Sequence, residues 1–458
     1  MATGPVVPET RVLAIASHVV FGYVGNKMVS FVLMSLGCNV SAINTVNYSN
    51  HTGYKQVKGT KTTAEQIRDL YDGLKQSDLN NFDVLLSGYL PSAEAVQTVG
   101  RIGRELKFNA GTKPGSFFWV LDPVMGDEGR LYIPEDEVPQ YKNLLREADL
   151  ILPNQFEAEL LSDTKITDLT SLGTAIQILH RTYQVPHIII TSLVLSATNK
   201  TLPSRPPSRM QSSAPTPRTA TPERNAATSH PSTWPTSESK ISPQQEQEEE
   251  EYPNTLTIIG STATSTHTAR LFRIDVPAHS LYFSGTGDMF AALTVARLRE
   301  AIVAANLQNT ASWKSPDDVA AADLPLAQAT SKVLASMQAV LAKTAAACAV
   351  EMEAYDERVG LEGAGSGEEA EEDRHKKRGL RLSRAAEVRV VRNVGDLVSP
   401  PNVEKFKARA VEVDVEKDGV GDKGPGSQVD QLGVRQLALG GGEGAVQLPV
   451  PQDKSTEA

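Results

Sequence analysis

Hydrophobic period switches back and forth along this chain, and few folds accommodate that alternation. The runs RVLAIAS (11–17), CNVSAINTV (38–46), FDVLLSG (82–88), FFWVLDPV (117–124), ADLILPN (148–154) and VPHIIITS (185–192) are short, apolar and bounded by turn residues. They read as buried strands. Between them lie segments with helical spacing: NKMVSFVLMSLG (26–37), TTAEQIRDLYDGLK (62–75), PSAEAVQTVGRIGREL (91–106) and SLGTAIQILHRTY (171–183). The first ends on Gly37 as a C-cap, and the second opens on a Thr ahead of a Glu, a helix-start signal. Strand alternating with helix predicts the α/β class, with a central, mostly parallel sheet flanked by helices on both faces. TLTIIGS (255–261) and ARLFRIDVP (269–277) predict an added pair of strands. Residues 324–355 predict a long amphipathic helix whose Leu334, Met337, Val340 and Leu341 belong to the core.

Other stretches lack any such period. Residues 200–254 are dominated by Pro, Ser, Thr and Gln and include the acidic run 248–251. They read as a disordered insertion, because they cannot bury enough apolar surface to offset ordering entropy. Residues 360–383 read as a second, charged and Gly-rich insertion, a solvated linker. Its basic cluster 374–378 leaves a nuclear location or an anionic partner open beside a cytoplasmic one. AEVRVVRNV and RAVEV, within 384–413, regain β-type character, and 414–458 read as a loose tail. The predicted organisation is one folded domain, 11–199 with 255–412, interrupted and followed by these segments.

Composition excludes several classes. Forty-five basic against 55 acidic residues leave a net charge of −10, unsuited to unspecific nucleic-acid binding. Two cysteines, Cys38 and Cys348, exclude a disulfide framework and suit a reducing compartment. The opening MATGPVVPET lacks the layout of a signal peptide, and no apolar run approaches the ~20 residues of a membrane span.

In a doubly wound sheet, ligands sit beyond the carboxyl ends of the strands. That points to Ser17 and His18, Asn47 and Tyr48, Ser87 to Tyr89, Asp122, Asn154, Thr191 and Ser192, and the run FSGTGD at 283–288. Gly285, Thr286, Gly287 and Asp288 precede a clear helix. Two glycines allow a tight turn and close approach, and a helix N-terminus presents N–H groups and a positive dipole end to an anion. A transferring phosphoryl group is such an anion, and Asp288 can take a proton from an attacking hydroxyl. Asp288 as a plain helix cap is the alternative. Asp122, Asp127, Asn154 and Glu157 form an oxygen-rich set suited to magnesium and phosphates, with Glu157 as a capping acid the alternative. Ser17, His18, His51, Thr52 and Tyr89 can shape a small-molecule pocket. His51 has no partners at zinc spacing, and neither a GxSxG elbow nor a Walker loop is present.

The motifs SHVVFGYVGN (17–26), NYSNHTGY (47–54), LSGYL (86–90), LDPVMGD (121–127), PNQFEAELL (153–161), TSL (191–193) and YFSGTGDMFAA (282–292) resemble, in this order, those of the pyridoxal kinases of the ribokinase-like superfamily. The resemblance implies ATP-dependent phosphorylation of the 5′-hydroxymethyl group of pyridoxal, pyridoxine or pyridoxamine. It makes Asp288 the base, and Gly285, Thr286 and Gly287 the anion hole. Ser17 and Thr52 would bind polar atoms of the pyridine ring, enclosed by Val24, Val46, Tyr48 and Tyr89. Asp122, Asp127 and Glu157 would serve Mg2+, with Asn154, Thr191, Ser192, His279, Ser280, Leu281 and Thr286 along the nucleotide. The family also implies a cytosolic homodimer. It carries Thr before PNQFE where this chain has Leu152, which removes a hydroxyl expected near a monovalent cation such as K+. Residues 122–136, with Gly126 and Gly129, would form a lid. A kinase of hydroxymethylpyrimidines and a catalytically weak scaffold are the competing readings.

Overall fold

The structure is a computed structural model that describes residues 7–127, 129–195, 198, 200–201, 255–361 and 368–413. The first half runs β1 (Arg11–Val19), α1 (Gly25–Ser35), β2 (Asn39–Tyr48), β3 (Gly59–Lys61), α2 (Ala64–Gln76), β4 (Val84–Ser87), α3 (Ala93–Asn109) and β5 (Phe118–Leu121). A small hairpin of β6 (Gly126–Asp127) and β7 (Arg130–Leu131) follows, then α4 (Glu137–Leu144), β8 (Leu150–Ile151), α5 (Gln155–Ser162), α6 (Leu169–Arg181) and β9 (His187–Leu193). The rest comprises β10 (Thr255–Ala263), β11 (Ala269–Pro277), α7 (Thr286–Ala304), α8 (Pro325–Leu361), α9 (Glu368–Ala385), α10 (Val394–Val398) and β12 (Arg409–Ala410).

Among the described residues the main sheet has ten strands, ordered β12-β11-β10-β9-β8-β5-β4-β1-β2-β3. The centre, from β9 through β8, β5, β4 and β1 to β2, is parallel, while β3 and the β10–β12 group are antiparallel. Strands from both sides of 202–254 therefore share one sheet. Side chains alternate across it as the pleat requires. Val12, Ala14, Phe118 and Val120 enter one core with α1, α7 and α8, whereas Leu13, Ile15, Trp119 and Leu121 enter the other with α2 to α6. Helix starts follow local chemistry: the Thr63 side chain closes a capping box on α2 with Gln66, two residues' worth of N–H groups satisfied reciprocally.

Helix α8 carries the expected core residues, with Leu334, Met337, Val340 and Leu341 all buried. The segment Pro325–Val359 is also long and apolar enough, by length and composition, to cross a bilayer, contrary to the sequence expectation. Half of its most apolar window is buried inside the fold against the sheet and α7, which accounts for that composition.

Two expectations are corrected. Residues 360–383 are not simply a linker, because α9 occupies Glu368–Ala385. Ala385 and Ala386 pack with Cys348 and Met352 of α8, with Leu382 and Tyr355 against them, and Arg378 pairs with Asp356. AEVRVVRNV is not a strand. It leaves α9, passes a 3-10 turn at Val391–Asn393 and enters α10. Val388, Val390 and Leu397 are buried in the core below α7 and α8, so packing overrides the local β-preference of a valine-rich run. RAVEV contributes only the two-residue β12. Lys200 and Thr201 bridge to Asp168 and Leu195, and the remainder of the predicted 200–254 insertion and the 414–458 tail lie outside the described residues.

Candidate active site

The carboxyl ends of β1, β2, β4, β5, β8 and β9 gather the predicted residues along one edge of the sheet, facing the start of α7. Where β1 and β2 part, their pairing slips between Ala16 and His18. Buried Asn26 bridges the split, donating from Nδ2 to Ala16 O (3.1 Å), Ile43 O (2.8 Å) and Asn44 Oδ1 (2.9 Å). Ser17 lies at this split, against the N-terminus of α1.

Gly285 is the residue before α7 and has φ +81°. A Cβ there would sit 2.2 Å from Tyr23 O and 3.1 Å from Val24 Cγ1, so only glycine lets the turn lie against residues 23 and 24. Three residues on, Asp288 lies in the first turn and accepts a hydrogen bond from the Gly25 N–H. Burial pushes its carboxyl up to about 6, against the pull of that N–H. Asp288 is held by another helix rather than spent on capping its own. The first N–H groups of α7 have no acceptor within the helix and remain available to an anion.

Asp122 converges on the same turn, with Oδ2 4.0 Å from where a Cβ of Gly287 would lie. Its pKa is raised well above the carboxylate range, first by burial and then by the charges of Glu157 and Asp288. The three acids thus share one electrostatic neighbourhood. Glu157, however, has both oxygens engaged: Oε1 accepts from Met125 N (2.9 Å) and Gly126 N (3.3 Å), and Oε2 from Asn154 N (2.9 Å). Burial pushes it up to about 8 despite those donors. In return, Asn154 Oδ1 accepts from the Glu157 N–H (2.9 Å), and Asn154 Nδ2 donates to Gly126 O (2.7 Å). The capping-box alternative for Glu157 therefore describes its contacts. The pair also anchors the base of the β6–β7 hairpin that carries Asp127. Among the described residues no three Asp, Glu, His or Cys side chains form a ready-made metal cage.

The expected ring-binding residues divide. Tyr48 and Tyr89 come together, since burial first and then Tyr48 push the Tyr89 phenol up to about 12. Thr45 Oγ1 holds Tyr89 by its carbonyl (2.7 Å). Val46 is buried in β2, and Thr52 is exposed at the start of a 3-10 turn, Thr52–Tyr54, capped by His51. His51 Nδ1 also lies 3.3 Å from Ser284 Oγ, which brings the NHTGY turn against the FSGTGD turn. His18 is partly buried, its pKa lowered by burial and by Lys27.

On the nucleotide side, Thr191 N–H donates to Pro153 O (3.1 Å), and Ser192, exposed, takes a left-handed φ of +63°. Such a conformation in a non-glycine residue marks a constrained position. His279 is committed to α8 through Gln338 (3.0 Å) and to Phe283 through an edge-on ring contact. Leu281 packs on the core and Ser280 is exposed. Leu152 is buried in the core and brings no oxygen to the site, in keeping with the missing hydroxyl. Asn26 and Glu387 were not singled out by sequence. Asn26 stood inside a recognised motif, and Glu387 lay in a stretch that reads as a strand, so no local signal marked it.

A family described as phosphomethylpyrimidine kinase matches residues 33–212, less than half of the chain. Pyridoxal kinase of Ovis aries is 42% identical over 193 residues, 41% of this chain and 61% of that protein. Pyridoxal kinase of Arabidopsis thaliana is 40% identical over 186 residues, 40% of this chain and 59% of that protein. The solved pyridoxal kinase of Leishmania donovani, in complex with ADP and pyridoxamine, aligns over 88% of this chain and 98% of its own, with TM-score 0.58 and 26% identity. In sequence and in fold the chain is similar to pyridoxal kinases. It spans less than two thirds of the length of the two curated pyridoxal kinases above. The likeness to the Leishmania pyridoxal kinase extends through nearly that whole chain, so the fold is common to both even where sequence identity is low.

Proposed function

We propose that the chain transfers the γ-phosphoryl group of ATP to the 5′-hydroxymethyl oxygen of pyridoxal, pyridoxine or pyridoxamine. The observation that carries this reading is Asp288, a half-buried acid lifted to about 6, placed one turn inside the glycine-led start of α7. A base with a pKa just below neutrality is ionised at pH 7 and still basic enough to take a proton. The hydroxymethyl O–H gives its proton to the Asp288 carboxylate as its oxygen bonds to the γ-phosphorus. The bond from that phosphorus to the bridging oxygen breaks, and its electron pair leaves with ADP. The free N–H groups at Gly287 and its neighbours then lie where negative charge spreads over the transferring group.

Magnesium fits the donor set: it takes one or two carboxylates and completes its shell with water and substrate phosphates, so a preformed protein cage is not required. Asp122, whose charge is already opposed by two neighbouring acids, would hold it, with Asp127 nearby on the hairpin. When bound it supplies charge neutralisation to the phosphates. Tyr48 and Tyr89 would flank the pyridine ring, with Val24 and Thr52 closing the pocket. Two free, buried thiols, Cys38 and Cys348, suit a reducing compartment such as the cytoplasm. A homodimer is part of the same reading, on the family resemblance.

The test is an assay of purified protein with magnesium-ATP and a panel of pyridoxal, pyridoxine, pyridoxamine and a hydroxymethylpyrimidine. Phosphorylated B6 vitamers are expected. Transfer to the pyrimidine alone, the activity named by the matching family, would overturn the substrate assignment. No transfer by protein that binds ATP would overturn the kinase reading.

A further inference from the structure

Glu387 leaves the end of α9 with its side chain only 12% exposed. Its Oε1 accepts from Tyr54 Oη (2.9 Å) and lies 3.0 Å from His51 Nε2. Its Oε2 accepts from Tyr23 N (3.3 Å). Because Gly53 N–H donates to His51 Nδ1 (3.2 Å), the imidazole proton sits on Nε2 and points at Glu387. Gly22, at φ +92°, completes the fit: a Cβ there would lie 2.6 Å from Oε2. One carboxylate thus fastens two turns more than twenty residues apart in sequence, 20–24 and 51–54. Through His51 it also reaches Ser284, immediately before Gly285.

The residues after Glu387 are tied into the core. Val388 and Val390 are buried in the core, Arg389 N donates to Thr344 Oγ1 (3.1 Å), and the Arg389 side chain pairs with Glu351 of α8 (3.0 Å). Both fastened turns carry residues assigned above to the vitamer side, Val24 and Thr52. Among the described residues, the Glu387 carboxylate bonds Tyr23, His51 and Tyr54 and not the nucleotide residues Thr191 and Ser192.

Resting on the kinase reading, we propose that Glu387 is a positioning residue that sets the shape of the vitamer side of the pocket without touching the reacting atoms. The C-terminal segment thereby completes a site whose chemistry comes from elsewhere in the chain. Burial of a carboxylate is costly unless its oxygens are bonded, and three donors converging on this one offset that cost by holding both turns in a single arrangement.

The test compares wild type with Glu387→Gln and Tyr54→Phe, by steady-state kinetics and by backbone hydrogen exchange of the unliganded protein. Glutamine keeps one oxygen for His51 and Tyr54 but turns its amide donor towards the Tyr23 N–H. Glu387→Gln is expected to raise KM for pyridoxal about tenfold while KM for ATP stays within about twofold, the loss of roughly one charge-assisted hydrogen bond. Exchange is expected to quicken at 20–25 and 51–55 and to stay unchanged at the start of α7. Tyr54→Phe should shift the same quantities less. An equal rise in both KM values, or unchanged exchange at 51–55, would overturn the proposal. If wild type phosphorylates no B6 vitamer, the proposed function falls, and the exchange comparison still decides whether Glu387 fastens these turns.

Discussion

Replacing Asp288 by Asn should lower activity and raise stability together. The amide oxygen can still accept the Gly25 N–H, so the local geometry has no reason to collapse. What disappears is a half-buried charge. Burial lifts the carboxyl from 3.8 to about 6. Two pK units correspond to up to about 3 kcal/mol of native-state destabilisation once the group is ionised in both states. The sign follows from linkage. Below pH 4 the acid is neutral folded and unfolded, and it costs nothing. As pH rises through 4 to 6 the unfolded chain loses the proton first, and above 6 the full cost applies. Solvent reaches part of the side chain, so the figure is an upper bound. Asp288→Asn is therefore expected to be more stable at pH 8 by up to about 3 kcal/mol, with the gain vanishing near pH 4. Turnover should fall by about 10²- to 10⁴-fold, the usual contribution of a general base. Wild-type kcat/KM should itself fall about tenfold per pH unit below about 6, as the base of the free enzyme becomes protonated. Urea unfolding at pH 8 and pH 4, beside kinetics at saturating magnesium-ATP, gives both quantities from one pair of proteins. Turnover within tenfold of wild type, or lower stability at pH 8, would refute the assignment of Asp288 as a partly desolvated base.

Two further outcomes follow from buried polar groups. His180 bonds Val185 O and Ser261 Oγ, and His187 bonds Thr262 Oγ1 and Ser312 O; burial lowers their pKa values to about 4 and about 3. The unfolded chain binds these protons first, so stability is full above pH 6.5 and falls below it, by about 2 kcal/mol per histidine at pH 5, readable as a drop in Tm that a His187→Gln variant should lessen. Glu157→Gln places an amide donor against one of three main-chain N–H groups and should cost about 1–3 kcal/mol in urea unfolding at pH 4, where the buried acid is neutral and no charge is removed. An unchanged midpoint would show that the acid does not anchor the 125–126 turn.

The alternation of periods along the chain was enough to place the class, the central strands and most flanking helices, because a buried parallel strand and an amphipathic helix each impose their own spacing on apolar residues. Motif order was enough to place Asp288 and the glycine turn ahead of α7. Local sequence could not decide that Val388 and Val390 would turn into the core while Val391 and Val394 stay exposed. Their β-preference is real, but the core beneath α7 and α8 offered more burial than a sheet edge did. Nor could it rank the acids, since Glu157, a candidate ligand by spacing, spends its oxygens on N–H groups of residues 125, 126 and 154. Glu387 makes the limit plainest. It is 333 residues from Tyr54 and 336 from His51, with no periodic signal of its own. The sequence by itself determined the alternating layers and the chemistry available at the strand ends. Only the tertiary structure decided which carboxylate meets which donor, because that depends on distances between segments that spacing along the chain does not encode.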